Sequence, residues 1–375
     1  MGVFCRFSQY GAVFCLALSF VGPTTFARAL EKRAEPAVAP HISTFSIVAY
    51  DQESKEYGIA VQSKFFAVGS VAPFAEAGTG ALATQAVGNP LFGPRALELF
   101  KEGVDAKAAI EKLLANDPSR ESRQLGAVDT NGNPATFTGR DCLPWAGGKI
   151  GEHYTVQGNL LAGPQVLDAM AAAYESARGD LATRLVHAIS AGQAAGGDAR
   201  GRESAAVLVV KSGAGYLGLN DRLVDLHVED HPTPTRELQR LLDIRHGQLA
   251  AAESKTYLRQ LKRSSEAERT RLIRSARQAS ERAIAVNRAS DLNWWLAAQT
   301  RLLDNDQEGA LEAAQSALLL SPSWPRLPEA TRTELGVSPA LVAALREDDG
   351  FRRLWDALAV QRPVARESVI NERAE

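Results

Sequence analysis

Cysteine is scarce in this chain of 375 residues, which contains three cysteines and two methionines. Cys5 and Cys15 lie in an N-terminal segment that we expect to be removed, so the mature chain keeps Cys142 alone. One thiol cannot form an internal disulfide and is a poor basis for a metal cluster. The sequence therefore predicts a protein without disulfides, and it indicates neither a metal site nor a cofactor.

The chain also lacks an excess of charge of either sign. The 42 lysines and arginines face 44 aspartates and glutamates, which gives a formal net charge of −2. Neither half carries a basic block, so nucleic acid is not an expected partner. Beyond the extreme N-terminus no apolar run approaches the length of a membrane span, and we expect no span in the mature chain.

The apolar run at the N-terminus has the form of an export signal. Arg6 precedes the apolar stretch GAVFCLALSFV, and residues 27–29 read Ala-Arg-Ala, a small-x-small cleavage pattern. We therefore predict a signal peptide at residues 1–29 and an exported protein, periplasmic or extracellular. Residues 30–43 are rich in proline, alanine and charge, which indicates a linker or propeptide.

Residues 44–231 predict one α+β domain. Strands and pairs of helices alternate along it, an order that suits two sheets packed between helical layers. The expected strands are 44–51 and 59–63 in a hairpin, 79–86, 123–130 and 135–138 joined through Asn131-Gly132, 154–161, 204–211, 216–219 and 223–228. The expected helices are 90–103, 106–115, 164–177 and 180–191, with Asp180 as an N-cap.

Thr44 is a candidate nucleophile because it begins the first strand, while Lys64 ends the partner strand. An adjacent amine can take the proton of the Thr44 hydroxyl, and a nearby ammonium favours that amine staying neutral. At a strand end we expect Thr44 to be exposed. The alternative is that Thr44 is simply a β-branched residue that opens a strand.

A glycine-rich loop, GQAAGGDARGRESAA, crowds three charges between a helix and a buried strand. Arg200 and Arg202 could hold a substrate carboxylate, and Asp198 could orient an arginine or a substrate amine. The alternative is a solvated turn whose charges pair with one another.

Two carboxamide pairs stand at strand ends before prolines. They are Gln85 with Asn89 and Gln157 with Asn159. Such groups can donate to a developing oxyanion, or they can satisfy loop carbonyls. Thr44, Lys64, Asn89, Asn159 and Asp198 are the candidate catalytic residues, and Thr44, Asn89 and Asp198 are predicted to share one pocket. Ser63, Gln85, Arg200 and Arg202 are the candidates for substrate binding.

The motifs TFSIVAYD, SKFFAVGSVAPFAEAG, ATQA, NPLFGP, RQLGAVD, CLPWAGG, QGNLLAGPQVLDAM and GQAAGGDARGRESAA occur in this order. Together they closely resemble the bacterial domain-of-unknown-function 1028 family, from Thr44 to about Val228. The resemblance implies the four-layered αββα fold of N-terminal nucleophile hydrolases. In that superfamily a first-strand threonine, serine or cysteine attacks an amide carbonyl and its own α-amine serves as base. Thr44 matches the family's first-strand threonine.

The chain departs from that pattern because 43 residues precede Thr44. A blocked α-amine is an amide and cannot act as a base, so activity of this type needs a second cut between Ser43 and Thr44. The family often has arginine where Lys64 stands.

Residues 235–375 predict an all-α, helical-hairpin domain. Ala276 and Ala310 are 34 residues apart, as are Ala283 and Ala317, a period that resembles tetratricopeptide repeats. The alternative is a generic helical hairpin. The composition shift at Pro232-Thr233-Pro234 indicates a linker between the domains.

The sequence thus predicts an exported amidohydrolase that acts on a small or peptidic amide through Thr44. The alternative is a non-catalytic envelope protein whose degenerate hydrolase-like scaffold carries a partner-binding helical tail. A protein or cell-wall partner would bind through the helical domain, and an oligomer is compatible with the sequence.

Overall fold

The computed structural model describes residues 44–360, so the predicted signal peptide and linker lie outside the described residues. Its strands are β1 Thr44–Asp51, β2 Glu56–Ser63, β3 Pro73–Glu76, β4 Gly80–Ala86, β5 Arg123–Val128, β6 Pro134–Thr138, β7 Gly147–Gly151, β8 Tyr154–Gly158, β9 Ser204–Val210 and β10 Arg222–Val228. Its α-helices are α1 Phe92–Lys101, α2 Ala106–Leu114, α3 Gln165–Ser176, α4 Leu181–Ala194, α5 Pro234–Gln260, α6 Glu266–Val286, α7 Asp291–Leu303, α8 Gln307–Leu320, α9 Glu329–Glu334, α10 Pro339–Leu345 and α11 Asp349–Val360. The predicted combination of a mixed α+β part and a helical C-terminal part is confirmed.

The strands form two antiparallel sheets, and β1 lies inside the larger one. The six-stranded sheet has the order β10-β9-β2-β1-β8-β7, and the four-stranded sheet has the order β3-β4-β5-β6. β1 and β2 form the predicted hairpin, with Thr44 opposite Ser63. Asp51 closes its turn by accepting hydrogen bonds from the backbone N–H groups of Glu53 and Ser54. Thr44 therefore begins an inner strand that has a neighbour on each side.

Alternate residues of β1 face different cores, because successive side chains on a strand point to opposite sides. Ile47 and Ala49 pack in a cluster with helices α3 and α4. Val48 and Tyr50 pack in a cluster that includes residues of β4 and β5, so this side of β1 faces the four-stranded sheet. Thr44 is an even number of positions from Val48 and Tyr50, so its side chain lies on the same face of β1, between the two sheets.

Helices α1 and α2 cover the other face of the four-stranded sheet. Phe92 and Phe100 of α1 and Ile110 of α2 pack with Leu82 and Leu125. The four-stranded sheet therefore has helices on one face and the six-stranded sheet on the other.

The β5–β6 hairpin is confirmed, but its turn differs from the expected two-residue Asn131-Gly132 turn. Val128 pairs with Pro134, which leaves a five-residue loop. Asp129 organises that loop, since its Oδ1 accepts hydrogen bonds from the backbone N–H groups of Asn131 (2.9 Å) and Asn133 (3.0 Å). A side chain that satisfies several loop donors can replace the tight turn.

Three local predictions from the sequence differ from the structure. The strand expected at 216–219 is a short 3-10 turn, Tyr216–Gly218, in which Leu217 has a φ of 54°. Strands β3 and β7 were not expected, and β7 consists of the residues GGKIG, which carry little strand propensity. β7 forms through its pairing with β8.

Helix α5 connects the two parts of the chain. It begins at Pro234, the second proline of the pair that indicates a linker in the sequence, and proline is well suited to the first turn of a helix. Leu238 and Leu242 on its first turns are fully buried in the same cluster as the α3 and α4 side chains. The domain boundary at 231–235 stays a prediction, and the first turns of α5 contribute to the core of the α+β part.

The helical part has a core of alanines and large aromatics. Trp295 packs against Trp324 and Trp355, with ring centroids 5.6 Å and 6.2 Å apart. The four alanines that carry the 34-residue period are fully buried, and small side chains allow helices to approach closely. The tetratricopeptide interpretation itself stays a prediction. The residues at the 34-residue spacing are Ala276, Ala283, Ala310 and Ala317.

Candidate functional site

Thr44 lies at the end of β1 with its hydroxyl directed to the neighbouring strand. Its Oγ1 donates a hydrogen bond to Ser63 Oγ at 3.1 Å. Both residues are fully buried, so the expectation that Thr44 is exposed is wrong. Direct opposition in an antiparallel pair brings two such side chains together on one face of the sheet.

Polar side chains continue in a row on both sides of Thr44. Ser204 lies opposite Ser63 on β9, and its Oγ accepts a hydrogen bond from the backbone N–H of Val68 at 3.1 Å. On the other side, Asn159 follows β8 and donates its backbone N–H to the Thr44 carbonyl oxygen at 3.1 Å. One end of the sheet thus carries a row of four buried polar residues on adjacent strands, with Thr44 inside it.

Two donors fix the backbone of Thr44. Its carbonyl oxygen accepts hydrogen bonds from the Asn159 N–H and from Gln85 Nε2, the latter at 3.2 Å. Gln85 belongs to the four-stranded sheet, so this bond crosses from one sheet to the other. The position of Thr44 is therefore determined by both sheets.

Gln85 is part of a buried carboxamide network between the sheets. Gln124 Oε1 accepts hydrogen bonds from Gln85 Nε2 at 2.8 Å and from Asn159 Nδ2 at 2.9 Å. Ser46 links the other members, since its Oγ donates to Gln85 Oε1 and accepts from Gln157 Nε2, both at 2.6 Å. None of these five residues is more than 1% exposed. Buried amides are tolerated because they are paired in this way.

A glycine provides the space for one carboxamide. A Cβ added to Gly126 on β5 would lie 2.1 Å from Gln157 Oε1, closer than any real contact. Gln157 therefore fits between the sheets only because β5 has no side chain at this position.

Asp198 holds the end of β2 beside Ser63. The Asp198 carboxylate is 2% exposed and accepts the backbone N–H of Lys64 at 3.2 Å. The Arg200 guanidinium neutralises it, with Nη2 2.8 Å and Nε 3.1 Å from the carboxylate oxygens. Lys64 Nζ pairs with Glu203 at 3.2 Å. Asp198 and Arg200 of the glycine-rich loop therefore pair with each other, but Asp198 is buried, so the loop is not the fully solvated turn of the alternative.

The two remaining candidates contact other parts of the fold. Arg202 is exposed, and its Nε donates to the Pro232 carbonyl oxygen at 2.6 Å. Asn89 accepts a backbone hydrogen bond from Leu91 and lines a cavity of about 550 Å³ whose walls come from residues 89–118. That cavity lies against α1 and α2 and includes neither Thr44 nor Asp198 in its lining. The pocket that the sequence predicts for Thr44, Asn89 and Asp198 is not this cavity.

Sequence reasoning missed Gln124, Ser46 and Ser204. Gln124 accepts from two members of the network and donates to the Gly158 carbonyl oxygen at 2.8 Å. A signal for it was present in the motif RQLGAVD, where a polar side chain stands inside an otherwise apolar strand.

The free thiol of Cys142 is not activated. Burial raises its pKa to about 11, although a hydrogen bond from the Gly139 backbone acts in the opposite direction. A thiol with such a pKa stays protonated at neutral pH.

Two features are absent from the described range. Between residues 44 and 360, no three His, Cys, Asp or Glu side chains form a group that could hold a metal ion. Over the same residues, no helix combines the length and apolarity needed to cross a membrane.

Comparison with known proteins agrees with the resemblance of the motifs. The chain belongs to the Family of unknown function (DUF1028), whose model matches residues 44–238. It is similar to protein SPO2555 from Silicibacter pomeroyi, a crystal structure of the same family, with 30% sequence identity and a TM-score of 0.49. The match covers 53% of this chain and 84% of that protein. No curated protein matches the chain.

Proposed function

We propose that this protein is an exported N-terminal-nucleophile amidohydrolase that cleaves a small or peptidic amide through Thr44. The observation that carries the proposal is the double anchoring of the Thr44 carbonyl oxygen, by Asn159 N–H and Gln85 Nε2, at the end of an inner strand. A nucleophile must be held in a defined geometry, and these two bonds fix Thr44 from both sheets.

The packing order supports an αββα sandwich of the N-terminal nucleophile type. Helices α1 and α2 pack on the four-stranded sheet, that sheet packs on the six-stranded sheet, and α3 and α4 pack on its far side. Thr44 belongs to the inner side of this arrangement, where two layers can shield a reaction from water.

In the proposed reaction the α-amine of Thr44 takes the hydroxyl proton while Oγ1 attacks the substrate carbonyl carbon. The C–N bond then breaks, the amine leaves with a proton, and an ester to Thr44 remains. Water hydrolyses that ester and regenerates the hydroxyl. The α-amine must be free for this role, so the proposal requires a cut between Ser43 and Thr44.

Neighbouring groups have supporting roles in the proposal. Ser63 Oγ accepts the Thr44 hydroxyl at 3.1 Å and orients it. Asn159 donates its backbone N–H to the Thr44 carbonyl oxygen. Its side-chain Nδ2 donates one hydrogen to Gln124 Oε1, and the second hydrogen of the same amide can donate to an oxyanion. Lys64 directly follows Ser63 in the chain, and its positive charge is paired with Glu203 at 3.2 Å.

One observation favours a second candidate, a non-catalytic envelope protein with a degenerate scaffold. The network carboxamides and the loop charges are already paired inside the protein. A scaffold that has lost its substrate would have this property. In that case the helical part would carry the function by binding a partner.

Hydrolysis of a panel of N-acyl amides distinguishes the two candidates. We expect the wild-type protein to release amine from at least one member, Thr44→Ser to retain part of the rate, and Thr44→Ala to lose about a thousandfold or more. A Thr44→Ala variant that hydrolyses at the wild-type rate would refute the assignment of Thr44. Since Thr44 is buried, the melting temperature of each variant serves as the folding control.

A further inference from the structure

The helical part contains a second cavity, which the proposed reaction does not use. Its volume is about 550 Å³, and α5, α7 and the segment between α9 and α10 line it. This size falls within the range of roughly 300–1,000 Å³ that is typical of ligand pockets.

One wall of the cavity is basic. Lys255, Arg259 and Lys262 line it, and their spacing of four and three residues brings them to one side of α5 and the turn that follows. In the described part of the chain no ion pair joins these three cations to an acid. Glu334 is the acid among the lining residues, so cations outnumber acids and the wall favours an anion.

Apolar side chains line another part of the cavity. Leu258 and Leu296 line it beside Trp295, which is 1% exposed. The cavity therefore offers an apolar surface beside its basic wall.

The polar groups on the cavity wall favour a peptide over a plain acyl chain. Gln299 lines the cavity and is half-buried, and its carboxamide can both donate to and accept from a peptide group. We propose that this cavity binds a short peptide in which a free carboxylate stands next to branched apolar side chains. The carboxylate meets the basic wall, and the apolar side chains contact the leucines.

Titration calorimetry on the full chain tests the proposal. The protein carries Thr44→Ala so that no probe is hydrolysed, and the probes are N-acetyl-Leu-Leu with a free carboxylate, the corresponding C-terminal amide, and octanoate. We expect the free acid to bind at least about tenfold more tightly than the amide, because a charge-assisted bond is lost. We also expect it to bind more tightly than octanoate.

Matched variants locate the binding. Lys255→Gln combined with Arg259→Gln should weaken the free acid by about tenfold or more. Arg271→Gln combined with Arg274→Gln removes the same charge from exposed positions of α6 outside the cavity and should leave the affinity unchanged. Equal loss in both variants, equal binding of acid and amide, binding of octanoate as tight as the peptide, or no heat with the free acid would each overturn the proposal.

Discussion

The α+β part and the helical part bury polar groups in different ways. In the α+β part, Gln85 bonds directly to Gln124 and, through Ser46, to Gln157, so the side-chain bonds reach from one sheet to the other. In the helical part, buried polar side chains bond to helix carbonyls, as Asn293 Nδ2 does to the Ala283 oxygen at 3.2 Å, and one hydroxyl pair, Ser280 and Thr300, is 2.7 Å apart. The first is a network across layers, and the second is a set of separate contacts.

The difference indicates what each core is built for. Replacing both partners of a buried hydrogen bond by apolar groups can be nearly neutral, whereas removing one member leaves its partners unpaired and is costly. The network lies directly beneath Thr44, whose carbonyl oxygen it holds. The helical core is built of alanines and tryptophans instead. These side chains pack closely but do not hold one particular residue in place, as the network holds Thr44.

Among the substitutions suggested by this comparison, we expect one at Gln124 to lower stability the most. Gln124→Leu removes the acceptor for Gln85 and Asn159 and the donor to the Gly158 carbonyl oxygen. We expect the free energy of unfolding to fall by about 2–4 kcal/mol, because several buried groups lose their partner at once. Urea unfolding measures it, with Gln278→Leu on the exposed face of α6 as a control within about 0.5 kcal/mol of the wild type.

A Gln124→Leu variant as stable as the wild type would show that the network is dispensable for the fold. The contrast between the two cores would then be one of composition alone.

In the helical core we expect a smaller loss of stability, caused by added side-chain volume and not by lost hydrogen bonds. Ala317 on α8 is fully buried among other alanines. Ala317→Leu should lower the free energy of unfolding by about 1–3 kcal/mol, because extra methylenes strain a close-packed helix contact. Gln315→Leu, at an exposed position of the same helix, adds a similar side chain without this loss. Thermal melts of both variants compare them, and equal melting temperatures would argue against close packing at Ala317.

The smallest effect is expected at an ion pair that joins the two parts. His246 on α5 pairs with Asp180, the N-cap of α4, at 2.8 Å. The hydrogen bond to Asp180 raises the pKa of His246 above 6.5 against the effect of burial. For Asp180, burial acts to raise the pKa, but hydrogen bonds from His246 and Thr183 outweigh it and lower the pKa to about 2.

The sign of the pH dependence follows from these directions. The contribution of His246 to the free energy of unfolding is fully present below pH 6.5, its ordinary pKa. It is lost as the pH rises through the raised pKa of the folded state. The contribution of Asp180 to the free energy of unfolding is lost only as the pH falls from 3.8, the ordinary pKa of the carboxyl group, towards about 2, its pKa in the folded state. We expect His246→Gln to cost under about 1 kcal/mol at pH 5.5 and less at pH 8.5, since solvent screens the half-exposed Asp180. His187→Gln, at an exposed position of α4, is the control; a His246 effect that grows with pH would contradict the pairing.

Much of the fold could be predicted because its signals are local. The first hairpin, helices α1 to α4 and the Asp180 cap follow from alternation, helical spacing and capping residues, and the Asp180 side chain does accept the Thr183 N–H at 2.8 Å. β7 could not be predicted, since its glycines form a strand only through pairing with β8.

The candidate site was predictable only in part. Strand ends and glycine loops are visible in the sequence, so Thr44, Asn159 and Asp198 could be proposed as site residues from their positions alone. The partner of Asn159, Gln124, is 35 residues away in the chain, and only the packing of one sheet on the other brings the two together. Asn89 was grouped with Thr44 because both lie at strand ends, but the chain carries Asn89 to the α1–α2 side of its sheet.

The N-terminus of the active protein tests the central claim most directly. Protein recovered from the native host is separated by amide-hydrolysing activity, and its first residues are sequenced. We expect the active fraction to begin at Thr44, with the sequence TFSIV, because only then can the α-amine of Thr44 act as base. An active fraction whose chain begins before Thr44, so that the Thr44 nitrogen is part of a peptide bond, would contradict this expectation.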